Sequence, residues 1–189
     1  MINFLDFTKN CNEALDFSNV PPIQKKQVSV FLGRLQPPHV GHQIILKKMK
    51  NPIVILIKGT ISSKNKKRNP FPEEYQIGLL RKFMPNLKIH IAPSGFLPLI
   101  FFDIRRLGFE PIKVYAGEDR INSYKKMISS LPDELGFKVK FVKTPRICSA
   151  TSVRKAIKDN DYKSFKDNMP QKLWSEWDTM KTLLNTKED

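Results

Sequence analysis

The stretch Val28-Ser29-Val30-Phe31-Leu32-Gly33-Arg34-Leu35-Gln36-Pro37-Pro38-His39-Val40-Gly41-His42 decides the fold. Val28–Leu32 is short, apolar and β-rich, which predicts a strand. Gly33 ends it and lets the chain turn tightly. Pro37 and Pro38 stiffen the loop, and His39 to His42 open a helix that places Val40, Ile44, Ile45 and Met49 roughly on one face. A helix N-terminus carries free N–H groups and partial positive charge, so this turn is an anion site before any side chain is counted. His39 and His42 are spaced i and i+3 and share one side of the first turn. Gly41 between them removes a side chain and lets a ligand approach the backbone, while Arg34 adds a cation.

Two histidines on one turn have three readings: zinc ligands, a structural pair, or donors to phosphate oxygens. A helical zinc pair is His-x-x-x-His with a third ligand. Here the spacing is shorter, and the one other histidine, His90, stands alone in a strand segment. Phosphate donation is the favoured reading, with no metal ligand assigned among the residues.

Outward from this stretch, β-rich runs alternate with helical ones. Strands are expected at Val28–Leu32, Ile53–Ile57, Lys88–Ala92, Ile112–Ala116 and Val139–Val142. Helices are expected near Val40–Lys50, Pro72–Met84, Leu97–Leu107, Arg120–Leu131 and Thr151–Lys158. Such alternation predicts an α/β fold: a Rossmann-like, doubly wound, parallel five-stranded sheet with a helical C-terminal tail. Ligands then sit beyond the carboxyl ends of the strands, near the switch in strand order. The expected organisation is an N-terminal extension over residues 1–27, an α/β domain over 28–160 and a C-terminal helical segment over 161–189. In that segment Leu173, Trp174, Trp177, Met180, Leu183 and Leu184 fall at helical spacing, favouring a helix packed on the domain over a lid or dimer surface.

A second constellation follows the fifth strand. Ser149-Ala150-Thr151-Ser152-Val153-Arg154 begins a helix, and Ser149, Thr151 and Ser152 are candidate N-caps. Arg154 near the start opposes the helix dipole, which is better tolerated opposite a bound anion. Hydroxyls and a guanidinium at a second helix start make a second phosphate cradle. Neither a Walker A loop nor a Gly-x-Gly-x-x-Gly fingerprint is present, which argues against ordinary ATPases and dinucleotide dehydrogenases.

The whole-chain numbers agree. The 189 residues suit one domain with a real core, and 40% hydrophobic content is globular rather than disordered. A net charge of +15 points to an anionic partner. Cys11 and Cys148 lack metal-site spacing and cannot build a disulfide framework, which fits a reducing cytosol. The most apolar run, Phe96–Phe102, is too short to span a membrane and contains Pro98; Asp6, Lys9, Glu13 and Asp16 interrupt any signal-peptide core. A cytoplasmic protein is expected.

The two constellations together resemble the HxGH-type nucleotidyltransferase superfamily. That family carries Gly-Arg-Phe-Gln-Pro-x-His-x-Gly-His after strand one and Ile-Ser-x-Thr-x-x-Arg late in the chain. Here these read Gly33–His42, with Leu35 for Phe, and Ile147–Arg154, with one extra residue after Ile147. Asn69-Pro70-Phe71 and Ala116-Gly117-Glu118-Asp119-Arg120 look like segments of the archaeal and bacterial nicotinamide mononucleotide (NMN) adenylyltransferases. The resemblance runs in order from Val28 to about Ile157.

It implies transfer of AMP from Mg²⁺-bound ATP to NMN, giving NAD and pyrophosphate. By the same resemblance His39, His42 and Arg154 are the catalytic candidates. Gly33, Arg34, Gln36, Gly41, Ser149, Thr151 and Ser152 would bind ATP, and Asn69, Phe71, Asp119 and Arg120 the acceptor. The family's Glu-Arg pair after Asn-Pro-Phe is replaced by Tyr75 and Gln76, with Arg68 or Arg81 as substitutes for the cation. Alternatives are another nucleotidyl transfer (cytidylyl, pantetheine-phosphate or flavin adenylyl) or a nucleic-acid-binding protein on this fold. The basic run Lys58–Arg68 reads as a solvated loop, a lid over phosphates or a nucleic-acid patch. The sequence leaves homo-oligomerisation open.

Overall fold

The structure, a computed structural model, describes residues 26–60, 65–135 and 137–185. Most of the N-terminal extension, with Cys11, lies outside the described residues, as do 61–64 of the basic run and the last four residues.

Five strands form one parallel sheet: β1 (Gln27–Gly33), β2 (Pro52–Ile57), β3 (Lys88–Ala92), β4 (Glu110–Ala116) and β5 (Lys140–Lys143), in the order β3-β2-β1-β4-β5. Helix α1 (Val40–Lys48) joins β1 to β2, α2 (Glu73–Phe83) joins β2 to β3, α3 (Leu97–Arg106) joins β3 to β4, and α4 (Glu118–Ser129) lies between β4 and β5. After β5 come α5 (Ala150–Lys158), α6 (Tyr162–Asn168), a 3₁₀ segment Gln171–Glu176 and α7 (Trp177–Asn185). The chain walks outward from β1 to β3, then returns to place β4 on the other side of β1. The strand order therefore reverses at the β1/β4 pair, and a crevice opens there at the carboxyl ends.

Period-2 alternation sorts the strand residues between two cores. Phe31, Val54 and Leu56 pack with Ile45, Leu46 and Met49 of α1, with Leu79, Leu80 and Phe83 of α2, and with Val153, Ala156 and Ile157 of α5. Val30, Leu32, Ile53, Ile55 and Val114 face the other side, under Leu97, Ile100, Phe101 and Ile104 of α3 and Tyr124 of α4. With helices on both faces the sheet is doubly wound, as its near-continuous apolar strands require.

The tail is not one continuous helix. Pro170 has no N–H to continue α6, and the chain passes through the 3₁₀ segment before α7. Phe165, Met169, Leu173, Met180 and Leu184 are buried in the same core as α5. Both tryptophans pack inward: Trp177 meets Phe165 edge to face at 4.9 Å, and Trp174 Nε1 donates to the carbonyls of Lys166 and Met169.

Strand β4 starts two residues before the expected Ile112. Its pairing with β1 shifts register between Val28 and Ser29, opposite Pro111, which has no N–H for the ladder. Glu110 is buried at that start in a two-pronged pair with Arg105, both bonds 2.8 Å long. Helix α4 begins at Glu118 rather than Arg120, with acidic residues in its first turn. Among the described residues no helix is long and apolar enough to cross a membrane.

Candidate active site

The loop after β1 is held from beneath by two buried glutamines. Gln36 Nε2 donates to the Phe71 carbonyl and Gln36 Oε1 accepts the Phe71 N–H, each at 2.9 Å. Gln76, fully buried, donates from Nε2 to the carbonyls of Arg34 and Leu35, and its Oε1 accepts from Lys58 Nζ. The strained position of the turn is Leu35, with φ +49°, whereas Gly33 has ordinary space for a Cβ; the tight turn expected at Gly33 falls two residues later.

His39 caps α1 and His42 sits in its first turn. Their rings stack at 3.7 Å. The His39 N–H donates to His42 Nδ1 at 3.2 Å. A Cβ on Gly41 would stand 3.1 Å from His39 Cε1 and 3.4 Å from Cys148 Sγ, so a side chain here would crowd the imidazole and the thiol. Burial lowers the His39 pKa to about 4. Burial, and then the neighbouring His39, hold His42 well below the ordinary histidine value. Both rings are therefore neutral at pH 7. In neutral His42, Nδ1 is an acceptor, so the proton sits on Nε2 as a donor.

Helix α5 meets this loop from the other side of the crevice. Ser149 caps it, accepting the Ser152 N–H at 3.0 Å and contacting the Ser152 hydroxyl at 2.8 Å. Arg154 bridges the two constellations, donating from Nη1 to the Gln36 carbonyl and from Nη2 to Thr151 Oγ1. Burial, followed by the nearby Arg34, lowers the Arg154 pKa. Two guanidiniums in this proximity are an anion site in waiting.

Three clefts run along the carboxyl ends of the strands. The first, ≈ 780 Å³, lies between α1 and the segment after β5, with Phe31, Ile45, Glu118, Asp119, Pro145 and Ile147 in its walls. The second, ≈ 640 Å³, is lined by Arg34, Arg68, Asn69, Ser149, Thr151 and Arg154 among others. The third, ≈ 650 Å³, has Arg34, Arg68, Arg120, Phe96 and Tyr124 in its walls, and among the described residues neither cleft is lined by a carboxylate. His39, His42 and Cys148 border both the first and the second; Arg34 and Arg68 border both the second and the third. The three make one continuous groove over the β1/β4 switch.

The groove brings together most of the residues singled out in the sequence. His39, His42, Arg34, Gly41, Ser149, Thr151 and Arg154 line its first two clefts, and Gly33 the third. Ser152 serves the α5 cap. Gln36 borders the second cleft, but its amide is committed on both sides to the Phe71 main chain, which makes it a brace for the loop rather than a ligand group. Of the acceptor candidates, Asn69 borders the second cleft and Arg120 the third, while Asp119 lines the first. Phe71 is 2% exposed in the core and lines none of the three. Tyr75 donates to Glu176 at 2.8 Å and Gln76 braces the loop; of the two substitute cations, Arg68 borders the second and third clefts and the exposed Arg81 lines none of the three. Sequence reasoning missed Cys148, Ser94–Phe96 and Tyr124.

Among the described residues no group of three or more His, Cys, Asp or Glu converges on a metal position. Mg²⁺ prefers phosphate oxygens and water with one or two carboxylates. The residues present therefore fit a Mg²⁺ carried in on a nucleotide's phosphates rather than one held in a protein cage; the carboxylates of Glu118 and Asp119 line the first cleft, where they pair with Lys143 and Arg120.

No protein-family model and no curated protein matches the sequence. Solved structures share the fold. Plasmodium falciparum nicotinic acid mononucleotide adenylyltransferase, complexed with NaAD, superposes with a TM-score of 0.56 at 13% identity, over 87% of this chain and 100% of that one. A Vibrio parahaemolyticus protein assigned as a nicotinate-nucleotide adenylyltransferase gives 0.55 at 13%, over 84% and 95%. Thermotoga maritima TmcAL bound with alpha-thio ATP gives 0.51 at 12%, over 83% of this chain and 56% of its own length. The chain thus has the fold shared by these structures.

Proposed function

We propose that the groove transfers a nucleotidyl group: AMP passes from ATP to the phosphate of a nicotinamide-type mononucleotide, giving a dinucleotide and pyrophosphate. The observation that carries this reading is the continuity of the three clefts, with both histidines at the first junction and Arg34 and Arg68 at the second. The nucleobase and ribose occupy the first cleft, the triphosphate the second, and the acceptor the third.

An oxygen of the acceptor phosphate attacks the α-phosphorus while the bond from that phosphorus to the bridging oxygen of the β-phosphate breaks. Pyrophosphate carries away the electron pair. The protein works by alignment and by charge that is already in place. Arg34, Arg154 and the start of α5 hold the β- and γ-phosphates, where negative charge accumulates on the leaving group. The Nε2–H of His42 donates to the phosphoryl oxygens, and a neutral imidazole does so without needing to lose a proton. Mg²⁺ bound to the nucleotide supplies further neutralisation of the triphosphate.

Among the described residues the third cleft is lined by three guanidiniums, of which Arg120 pairs with Asp119, and by no carboxylate. That favours an acceptor with an anionic group beyond its phosphate, and so the acid form, nicotinate mononucleotide, over the amide. The Plasmodium nicotinic acid mononucleotide adenylyltransferase and the Vibrio protein, which share the fold, support the same class. The test is pyrophosphate release from purified protein with Mg²⁺-ATP and a panel of NMN, nicotinate mononucleotide, phosphopantetheine, flavin mononucleotide and a CTP-dependent pair. Release with the two pyridine mononucleotides, faster with the acid, is expected. Release with another acceptor alone would reassign the branch. No release with any would remove the transferase reading.

A further inference from the structure

Cys148 stands at the junction of the first two clefts. Its Sγ lies 2.9 Å from His39 Nδ1 and 3.4 Å from the Gly41 N–H, which donates to it. The adjacent Ile147 is 49% exposed, so the thiol rather than the isoleucine closes against the start of α1. The Nδ1 edge of His39 is thereby occupied, and Nε2 is the ring nitrogen left for a ligand.

We infer that Cys148 is a positioning residue: its S–H donates to His39 Nδ1 and fixes His39 as the Nε2–H tautomer, a phosphate donor parallel to His42. The direction of the bond follows from the partners. Burial raises the Cys148 pKa, so the sulfur keeps its proton at neutral pH, and the Gly41 N–H already uses the sulfur as an acceptor. Neutral His39 offers Nδ1 as the acceptor. The opposite arrangement, with the proton on Nδ1, would turn the Nε2 lone pair toward phosphate oxygens, two acceptors facing each other. His42 is set in the same tautomer by a different donor, the His39 main-chain N–H. The stacked pair would then present two N–H groups to one triphosphate.

The consequence for turnover rests on the nucleotidyl-transfer reading; the tautomer does not, because it is read on the ligand-free protein. Two-bond ¹⁵N–¹H correlation spectra of ¹⁵N-histidine-labelled protein at pH 7 should show His39 as Nε2–H in the wild type and in Cys148→Ser. Cys148→Ala should show a mixture of tautomers or Nδ1–H. In pyrophosphate release, Cys148→Ala should lose about five- to tenfold in kcat, the size of one lost hydrogen bond, with KM for ATP changed less, and Cys148→Ser should recover most of it. A wild-type spectrum with the proton on Nδ1 overturns the inference without any variant, as does an unchanged Nε2–H tautomer in Cys148→Ala. Equal losses in Ala and Ser with both tautomers intact reduce Cys148 to packing and overturn it as well. A wild type inert toward every acceptor, with the tautomers behaving as described, rejects the transfer reading and leaves the assignment of Cys148 standing.

Discussion

Replacing Gln36 with Ala separates a brace from a ligand group. Gln36 is 5% exposed, and its amide makes two 2.9 Å bonds to the N–H and C=O of Phe71, itself 2% exposed. Truncation leaves both main-chain groups without their partners. An unsatisfied buried polar group costs roughly 1–3 kcal/mol, so two of them amount to about 2–4 kcal/mol when water partly fills the space. For a chain of this size that lowers Tm by about 5–15 °C. Urea denaturation should show a lower midpoint with an unchanged slope, since the surface exposed on unfolding hardly changes. ATP affinity, measured well below the melting temperature, should fall much less, because the proposed reading gives the phosphates to Arg34, Ser149 and Arg154, while the Gln36 amide is committed to the Phe71 main chain. A stability within about 0.5 kcal/mol of wild type, combined with a large loss of ATP affinity, would refute the reasoning and make Gln36 a nucleotide ligand.

Other perturbations follow from the same geometry. His42→Ala should lower turnover by about 10²–10³-fold, the usual loss for one donor to a transition-state oxygen, with the circular dichroism spectrum retained; unchanged turnover removes its role. His39 binds its proton near pH 4 in the folded protein and near 6.5 when unfolded. Its contribution is therefore complete above pH 6.5 and is lost as pH falls toward 4, on the order of 3 kcal/mol in all. Denaturation midpoints across that window should show the slope, and His39→Gln should reduce it, leaving the share of His42, whose pKa burial also lowers. Glu110→Ala removes the carboxylate from a buried two-pronged pair, leaving Arg105, 2% exposed, with its bond to the Leu135 carbonyl and its contact over the Phe137 ring, and should cost about 3–5 kcal/mol by chemical denaturation; a loss under about 1 kcal/mol would mean the pair is solvated.

The central strands β1 and β2 were legible because each is a short apolar run that the doubly wound sheet buries on both faces, and the edge strands β3 and β5 by apolar residues set between charged or polar ones. Element ends were not. Glu110 and Pro111 look unlike strand residues, and only the pair with Arg105 and the register shift against β1 explain them. The tail's helical spacing hid the break that Pro170 imposes. The two helix starts of the groove were readable because each is contiguous in sequence: a strand, a turn and a helix start. The third cleft draws single residues from the segment after β3, from α4 and from the basic run, and no spacing links Phe96, Tyr124 and Arg68. The bond between Gln36 and the Phe71 main chain was hidden for a related reason. A motif position identifies a residue that the loop needs, and the loop needs these two for its own support.

The central claim is that this groove splits ATP between its α- and β-phosphates and passes the α-phosphate on. Two parallel reactions with Mg²⁺ and nicotinate mononucleotide test it directly, one with ATP labelled at the α-phosphate and one at the γ-phosphate. The account predicts α-label in a dinucleotide product and γ-label in pyrophosphate, in equal amounts. Appearance of γ-label in the acceptor or in orthophosphate, with the α-label left in ADP, would contradict it.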